Sequence, residues 1–139
     1  MRNITLLIGL CLLWSCTSST PTEMDQAAET TSFQVLTRGE VIDLAPHVKL
    51  DTITVFDFYA DWCLPCAKLD HSLKDMKKIY GDGLTVHKLD IVKWGSDLTN
   101  HFKINDLPYL IVYDRDGKLV TQGPSIQVFP KLMEVLNKK

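Results

Sequence analysis

Cys63 and Cys66, separated by Leu64 and Pro65, are the residues best placed to do chemistry in this chain. Cysteines at this spacing can interconvert between a dithiol and a disulfide. They follow a strand-like run, Ile53 to Tyr59, and open a helix-like stretch that ends near Tyr80. At a helix start the first sulfur faces unpaired backbone N–H groups and the positive end of the helix dipole. Both favour thiolate over thiol, so the pattern predicts a nucleophilic Cys63. Cys66 lies one turn on, within reach to attack a mixed disulfide formed at Cys63. The same pair could instead form a structural disulfide or half of a zinc site. A structural zinc site wants four ligands, and the sequence holds no second CxxC or CxxH. A four-residue loop is also a poor cross-link, because stabilisation grows with loop length. Asp57 is the second candidate, an acidic residue within an apolar strand. If buried, its pKa should rise, and it could accept the proton that Cys66 must lose. The alternative is that Asp57 faces solvent at a strand end.

The elements that must position these groups can be read along the chain. Phe33 to Leu36 is a short apolar run suited to an edge strand. Thr37 and Glu40 fit a capping box, which predicts a short helix to about Leu44, stopped by Pro46. Thr52 to Tyr59 reads as a central strand covered on both faces. Cys66, Leu69, Leu73, Met76 and Tyr80 recur at helical spacing, and Gly81 and Gly83 supply an exit. Leu84 to Leu89 is a second core strand, and Ser96 can cap a short helix through Phe102. Tyr109 to Tyr113 and Lys118 to Thr121 flank Asp114-Arg115-Asp116-Gly117, a hairpin signal. Pro130 is expected in the first turn of a last helix ending near Asn137. The order β-α-β-α-β-α-β-β-α implies an α/β fold, a mixed central sheet with helices on both faces.

Asp57-Phe58-Tyr59-Ala60-Asp61-Trp62-Cys63-Leu64-Pro65-Cys66 resembles the thioredoxin family's Asp-Phe-Trp-Ala-x-Trp-Cys-Gly-Pro-Cys. Asp57 stands six residues before the first cysteine and Lys88 22 residues after the second. Leu107-Pro108 precedes an apolar run. These separated features occur in the family's order, and the resemblance covers roughly residues 33–139. It implies the thioredoxin fold, with Asp57 as the buried aspartate beside Cys66 and Lys88 as its neighbour. It implies a cis Pro108 opposite the cysteines, exposing the backbone of Leu107 to an extended substrate segment. Pro65 would tune the redox potential, and Leu64, standing where thioredoxin has glycine, would alter it. Trp62, with Tyr59 and Tyr109, is expected at an apolar rim, although either tyrosine can equally be a packing residue. His71 stands where thioredoxin often has a helix-kinking proline, which implies a straighter helix. No cofactor is expected beyond the redox-active Cys63–Cys66 disulfide, and no metal. His47, His87 and His101 form no constellation.

The chain has 139 residues, 45% hydrophobic and 23% charged, enough for one globular domain and a short appendage. Its formal charge of −2 gives no electrostatic case for nucleic-acid binding. Of four cysteines, Cys11 and Cys16 lie in the N-terminal segment. Met1-Arg2-Asn3 is a short positive region, and Ile4 to Trp14 is an apolar stretch of 11 residues, too short to span a bilayer. Leu13-Trp14-Ser15-Cys16 resembles a bacterial lipobox, which makes residues 1–15 a lipoprotein signal peptide and Cys16 the lipidated first residue. An ordinary secretory signal is the alternative, and either exports the protein. Thr17 to Ser32 is polar and should tether residues 33–139. Such a tether has a reach of about 20–25 Å.

The resemblance implies an exported thiol–disulfide oxidoreductase, tethered at the periplasmic face of a bacterial membrane and acting mainly as a reductase. Only 41 residues separate Cys66 from Pro108, which leaves no room for the insertions of cytochrome-maturation reductases or disulfide oxidases. The motif is also similar to the C-terminal thioredoxin-like domain of the membrane reductase that carries electrons into the periplasm. Expected partners are disulfide-containing proteins and a membrane or periplasmic electron donor, with the chain itself a monomer. Alternatives are a dedicated reductant for apocytochrome or copper-protein maturation, or a soft-metal-binding module using the same cysteines.

Overall fold

The computed structural model describes residues 32–138. Cys11 and Cys16, the signal peptide and all but the end of the tether lie outside them. The described chain runs β1 (Gln34–Arg38), β2 (Ile53–Tyr59), α1 (Leu64–Tyr80), β3 (Leu84–Asp90), α2 (Asp97–Phe102), β4 (Tyr109–Tyr113), β5 (Leu119–Pro124) and α3 (Ser125–Asn137). Short 3-10 turns sit at Ala45–His47 and Gly81–Gly83.

The strands form one mixed sheet in the order β1-β3-β2-β4-β5. β3 is parallel to β1 and β2, while β4 is antiparallel to both β2 and β5. Alternation along β2 sends Ile53 and Val55 to one face, with Leu84, Val86, Leu110 and Val112 beside them. Leu69, Leu73 and Met76 of α1 and Val128, Leu132, Val135 and Leu136 of α3 cover that face. Phe56, Phe58, Leu89 and Ile111 belong to the opposite face, packed with Leu98, Ile104 and Leu44. Each fully buried large side chain here contributes about 1.5–3 kcal/mol relative to exposure. Asp57 and Lys88 are partners in the β2–β3 register. By alternation they fall on the face that α1 covers.

Two sequence expectations need correction. No helix follows Thr37. Thr37 is a buried strand residue whose hydroxyl donates to the Glu40 carbonyl at 2.9 Å, so it closes a turn and caps nothing. Gly39 has φ 79°, and its N–H and carbonyl pair with Asp90 and Leu98, which draws the backbone away from a helical path. The helical turn between β1 and β2 lies past the expected end at Leu44, at Ala45–His47, with the Ala45 N–H bonded to the Asp43 carboxylate. Pro130 lies inside α3, not in its first turn. The carbonyl it leaves without a partner is that of Ile126, which is exposed. The apolar stripe that α3 lays on the sheet outweighs the lost bond.

Candidate active site

Cys63 is the N-cap of α1, in an extended backbone conformation, and Pro65 sits in the first helical turn. A proline there sacrifices no helical hydrogen bond. Cys63 and Cys66 are joined in a disulfide. The Cys66 N–H donates to Cys63 Sγ at 3.2 Å, and the N–H groups of Cys66 and Ala67 also reach the Cys63 carbonyl. The first sulfur thus occupies the capping position that a side-chain oxygen usually fills. Both cysteines are buried, Cys63 at 7% exposure and Cys66 at 2%, so Cys63 is the more accessible residue.

A cleft of about 200 Å³ opens beside the disulfide, lined among others by Tyr59, Asp61, Asp70, His71 and Lys88. Asp57 lies deeper and is fully buried. Neither of its oxygens has a hydrogen-bond partner, and the Lys88 ammonium stands 3.5 Å away as an ion pair only. Burial pushes the Asp57 carboxyl up to about 6, against the pull of Lys88. The resemblance pairs Lys88 with Asp57, yet the nearer partner is Asp70, at 2.5 Å. Lys88 also lies over the Tyr59 ring, 4.2 Å from its centroid. Lys74 holds the other Asp70 oxygen at 2.7 Å. Burial raises the Asp70 carboxyl, but hydrogen bonds from Lys74 and Lys88 outweigh it and hold the group below the usual range.

The rim is partly as the resemblance implies. Trp62 is 53% exposed and Leu64 79%, both flanking Cys63. Trp62 donates its indole N–H to the Val92 carbonyl at 2.8 Å and packs against Trp94, ring centroids 5.9 Å apart. Tyr109 is a packing residue, set edge-on against Phe58 at 6.0 Å. The Leu107–Pro108 peptide is cis. The register pairs Phe58 with Tyr109, so continuing it sets Pro108 across from Tyr59, at the sheet end that carries the cysteine loop. Leu107 packs on the cluster that contains both cysteines, and its N–H is taken by the Asp106 carboxylate at 2.9 Å. The Pro108 carbonyl accepts from Ser125 N–H. His71 is exposed on an α1 that runs helical over 17 residues. Among the described residues no three His, Cys, Asp or Glu side chains gather to hold a metal.

Sequence reasoning missed Asp70, Val92 and Trp94. Asp70 was findable, because it stands four residues after Cys66 and four before Lys74 on one helix face. Val92 and Trp94 sit in a loop without periodicity, and only the tertiary fold brings them to Trp62.

Residues 43–136 match the family model described as Thioredoxin. The chain is similar to Thioredoxin-1 of Drosophila melanogaster, 30% identical over 71 residues, which is 51% of this chain and 65% of that protein. It is 26% identical over 107 residues to the "Thiol:disulfide interchange protein TxlA homolog" of Synechocystis, covering 70% of this chain and 59% of that one. The chain therefore spans less than two thirds of the length of either relative. Among solved structures it resembles mitochondrial thioredoxin 3 of Saccharomyces cerevisiae in its oxidised form, with TM-score 0.54 and 22% identity, covering 77% of this chain and 97% of that one. It also resembles chloroplastic thioredoxin z, with TM-score 0.56 and 25% identity, covering 76% and 94%.

Proposed function

Because the chain belongs to the thioredoxin family, we propose that it is a thiol–disulfide oxidoreductase working mainly as a reductase of protein disulfides. The observation that carries this is the disulfide set into the start of α1, with Cys63 Sγ accepting the Cys66 N–H. In the reduced form the Cys63 thiolate attacks one sulfur of a substrate disulfide. A mixed disulfide forms and the other substrate sulfur leaves as a thiolate. Cys66 then gives its proton to Asp57, attacks Cys63, and releases the second substrate thiolate. The Cys63–Cys66 disulfide carries the two electrons' worth of oxidation. A dithiol donor must return those electrons by the same exchange in reverse. The Leu107 carbonyl, next to the cis Pro108, would face the substrate segment, and Trp62 would give an apolar contact beside it. Lys88, Leu64 and Pro65 would set the electrostatics and the potential.

The test is turnover. The protein should accelerate reduction of a model protein disulfide by a small dithiol. Cys63→Ser should remove this activity, and Cys66→Ser should accumulate mixed disulfides with protein partners. An active Cys63→Ser variant would end the proposal.

The proposal includes export and a lipid anchor at Cys16, with the domain facing the periplasm. Its support is the sequence of residues 1–32 alone: a short positive start, a short apolar run, a cysteine, and a polar tether.

A further inference from the structure

Two carboxylates compete for one ammonium behind the disulfide. Lys88 stands 2.5 Å from Asp70 and 3.5 Å from Asp57. Its position is fixed from a third side by the Tyr59 ring. Asp70 is the more exposed acid, so the ammonium is drawn toward the cleft and away from the core. Among the described residues Lys88 is the only cation within ion-pair reach of Asp57. The other neighbours cannot substitute for it. Leu110 of β4 is the register partner on one side and is apolar. α1 brings Cys66 and Asp70 to the cleft, with Lys74 bound to the far oxygen of Asp70. His71 and Asp61 line the cleft itself. Asp90, further along β3, is held by Arg38.

We infer that Asp70 is a positioning residue for the resolving step: by holding Lys88 in the shorter contact, it leaves the Asp57 carboxyl with a longer ion pair and no hydrogen bond, able to receive the proton of Cys66. A buried aspartate with a lysine as its sole partner would stay ionised and be a weak base. Asp70 relaxes that pairing and adds a second negative charge nearby. Both make Asp57 a stronger proton acceptor. The inference rests on the reading of Asp57 as the acceptor.

Asp70→Asn removes the charge at nearly constant shape. In the oxidised protein the carboxyl carbon of Asp57, followed by isotope-edited NMR, should titrate about one pH unit lower than in the wild type. The resolving step is read by stopped flow with an aromatic disulfide that releases one coloured thiolate on attack by Cys63 and a second on attack by Cys66. The rising limb of the second phase should move down in pH by the same amount. Asp70→Glu should restore both. Lys74→Gln breaks the same helix pair but leaves Asp70 on Lys88, so the Asp57 midpoint should stay in place. If Asp70 only stabilised the helix, Lys74→Gln and Asp70→Asn would behave alike. Asp70→Ser serves if the asparagine variant does not fold. An unmoved Asp57 midpoint without the Asp70 charge overturns the inference. Failure of the underlying reading is distinct: Asp57→Asn would then leave the second phase unchanged, and a midpoint that still moves would report charge sharing with no use in resolution.

Discussion

The Trp62 indole N–H reaches the carbonyl oxygen of Val92 at 2.8 Å, fastening the residue before the first cysteine to the loop that leaves β3. Val92 presents that carbonyl from φ 62°, a conformation a β-branched residue seldom adopts. Its N–H is held by the Asp90 carboxylate at 2.8 Å, and Asp90 in turn by Arg38 at 2.9 Å.

Val92→Gly should therefore raise stability. The left-handed conformation costs a side-chain-bearing residue about 1–2 kcal/mol. Glycine's extra unfolded-state freedom costs about 0.5–1 kcal/mol. A net gain of up to about 1.5 kcal/mol is expected, measured by urea unfolding of the oxidised protein. Trp62 emission should not change, because the carbonyl stays in place. A clear loss of stability would mean that the Val92 side chain, not its backbone, matters to the loop.

Asp57→Asn should stabilise the fold at pH 7 and slow resolution. The Asp57 carboxyl rises from 3.8 to about 6 on folding. A raised acid contributes stability below its unfolded value and loses it as pH climbs through the folded value. The rise amounts to about 3 kcal/mol at pH 7, an upper figure for what the variant recovers. At pH 3 the two proteins should unfold at similar urea concentrations. Release of the second coloured thiolate should slow while the first is unaffected.

His87 should act in the opposite sense over the same pH range. Its ring is buried against Phe56 at 5.5 Å, and Nε2 lies 3.1 Å from the His47 carbonyl. Burial pushes it down to about 4, so the fold holds it neutral. Stability is lost as pH falls from 6.5 towards 4, where the unfolded chain takes a proton and the fold resists it. His87→Gln should remove that loss. Between pH 6.5 and 4 the variant should gain stability relative to wild type, read from urea midpoints. An unchanged difference across that window would place a charged His87 in the fold.

The membrane fraction of an expressing bacterium should contain a chain that begins at lipid-modified Cys16. Mass spectrometry of the mature N-terminus decides it. A soluble form with an unmodified terminus elsewhere would reject the anchor, and Cys16→Ser should release the domain in either case where it is lipid-held.

Much of the site was legible because it is local. Cys63 to Cys66 sit on one turn, and strand-then-helix patterning on either side is strong. Asp57 stood out because an acid in an apolar run needs a reason. The cis Pro108 and the Lys88–Asp57 proximity were available only through resemblance, since strand register is not written in one strand. The Thr37–Glu40 pair misled because its side chains suit a helix start while Gly39 between them is tied to β3 and α2. Pro130 misled for the converse reason, as tertiary packing held a helix through a residue that opposes it. The competition of Asp70 for Lys88 required both the helix face and the strand register at once.

The Cys66 amide that donates to Cys63 Sγ in the disulfide is fixed by the first turn of α1. A thiolate at Cys63 would find the same donor already aimed at it. Switching between oxidised and reduced states then recruits no new backbone partner, so the reorganisation that accompanies two-electron exchange is small. In the proposed exchange the first turn of α1 would serve both redox states without rebuilding, and turnover would depend on how a partner's disulfide aligns in the cleft.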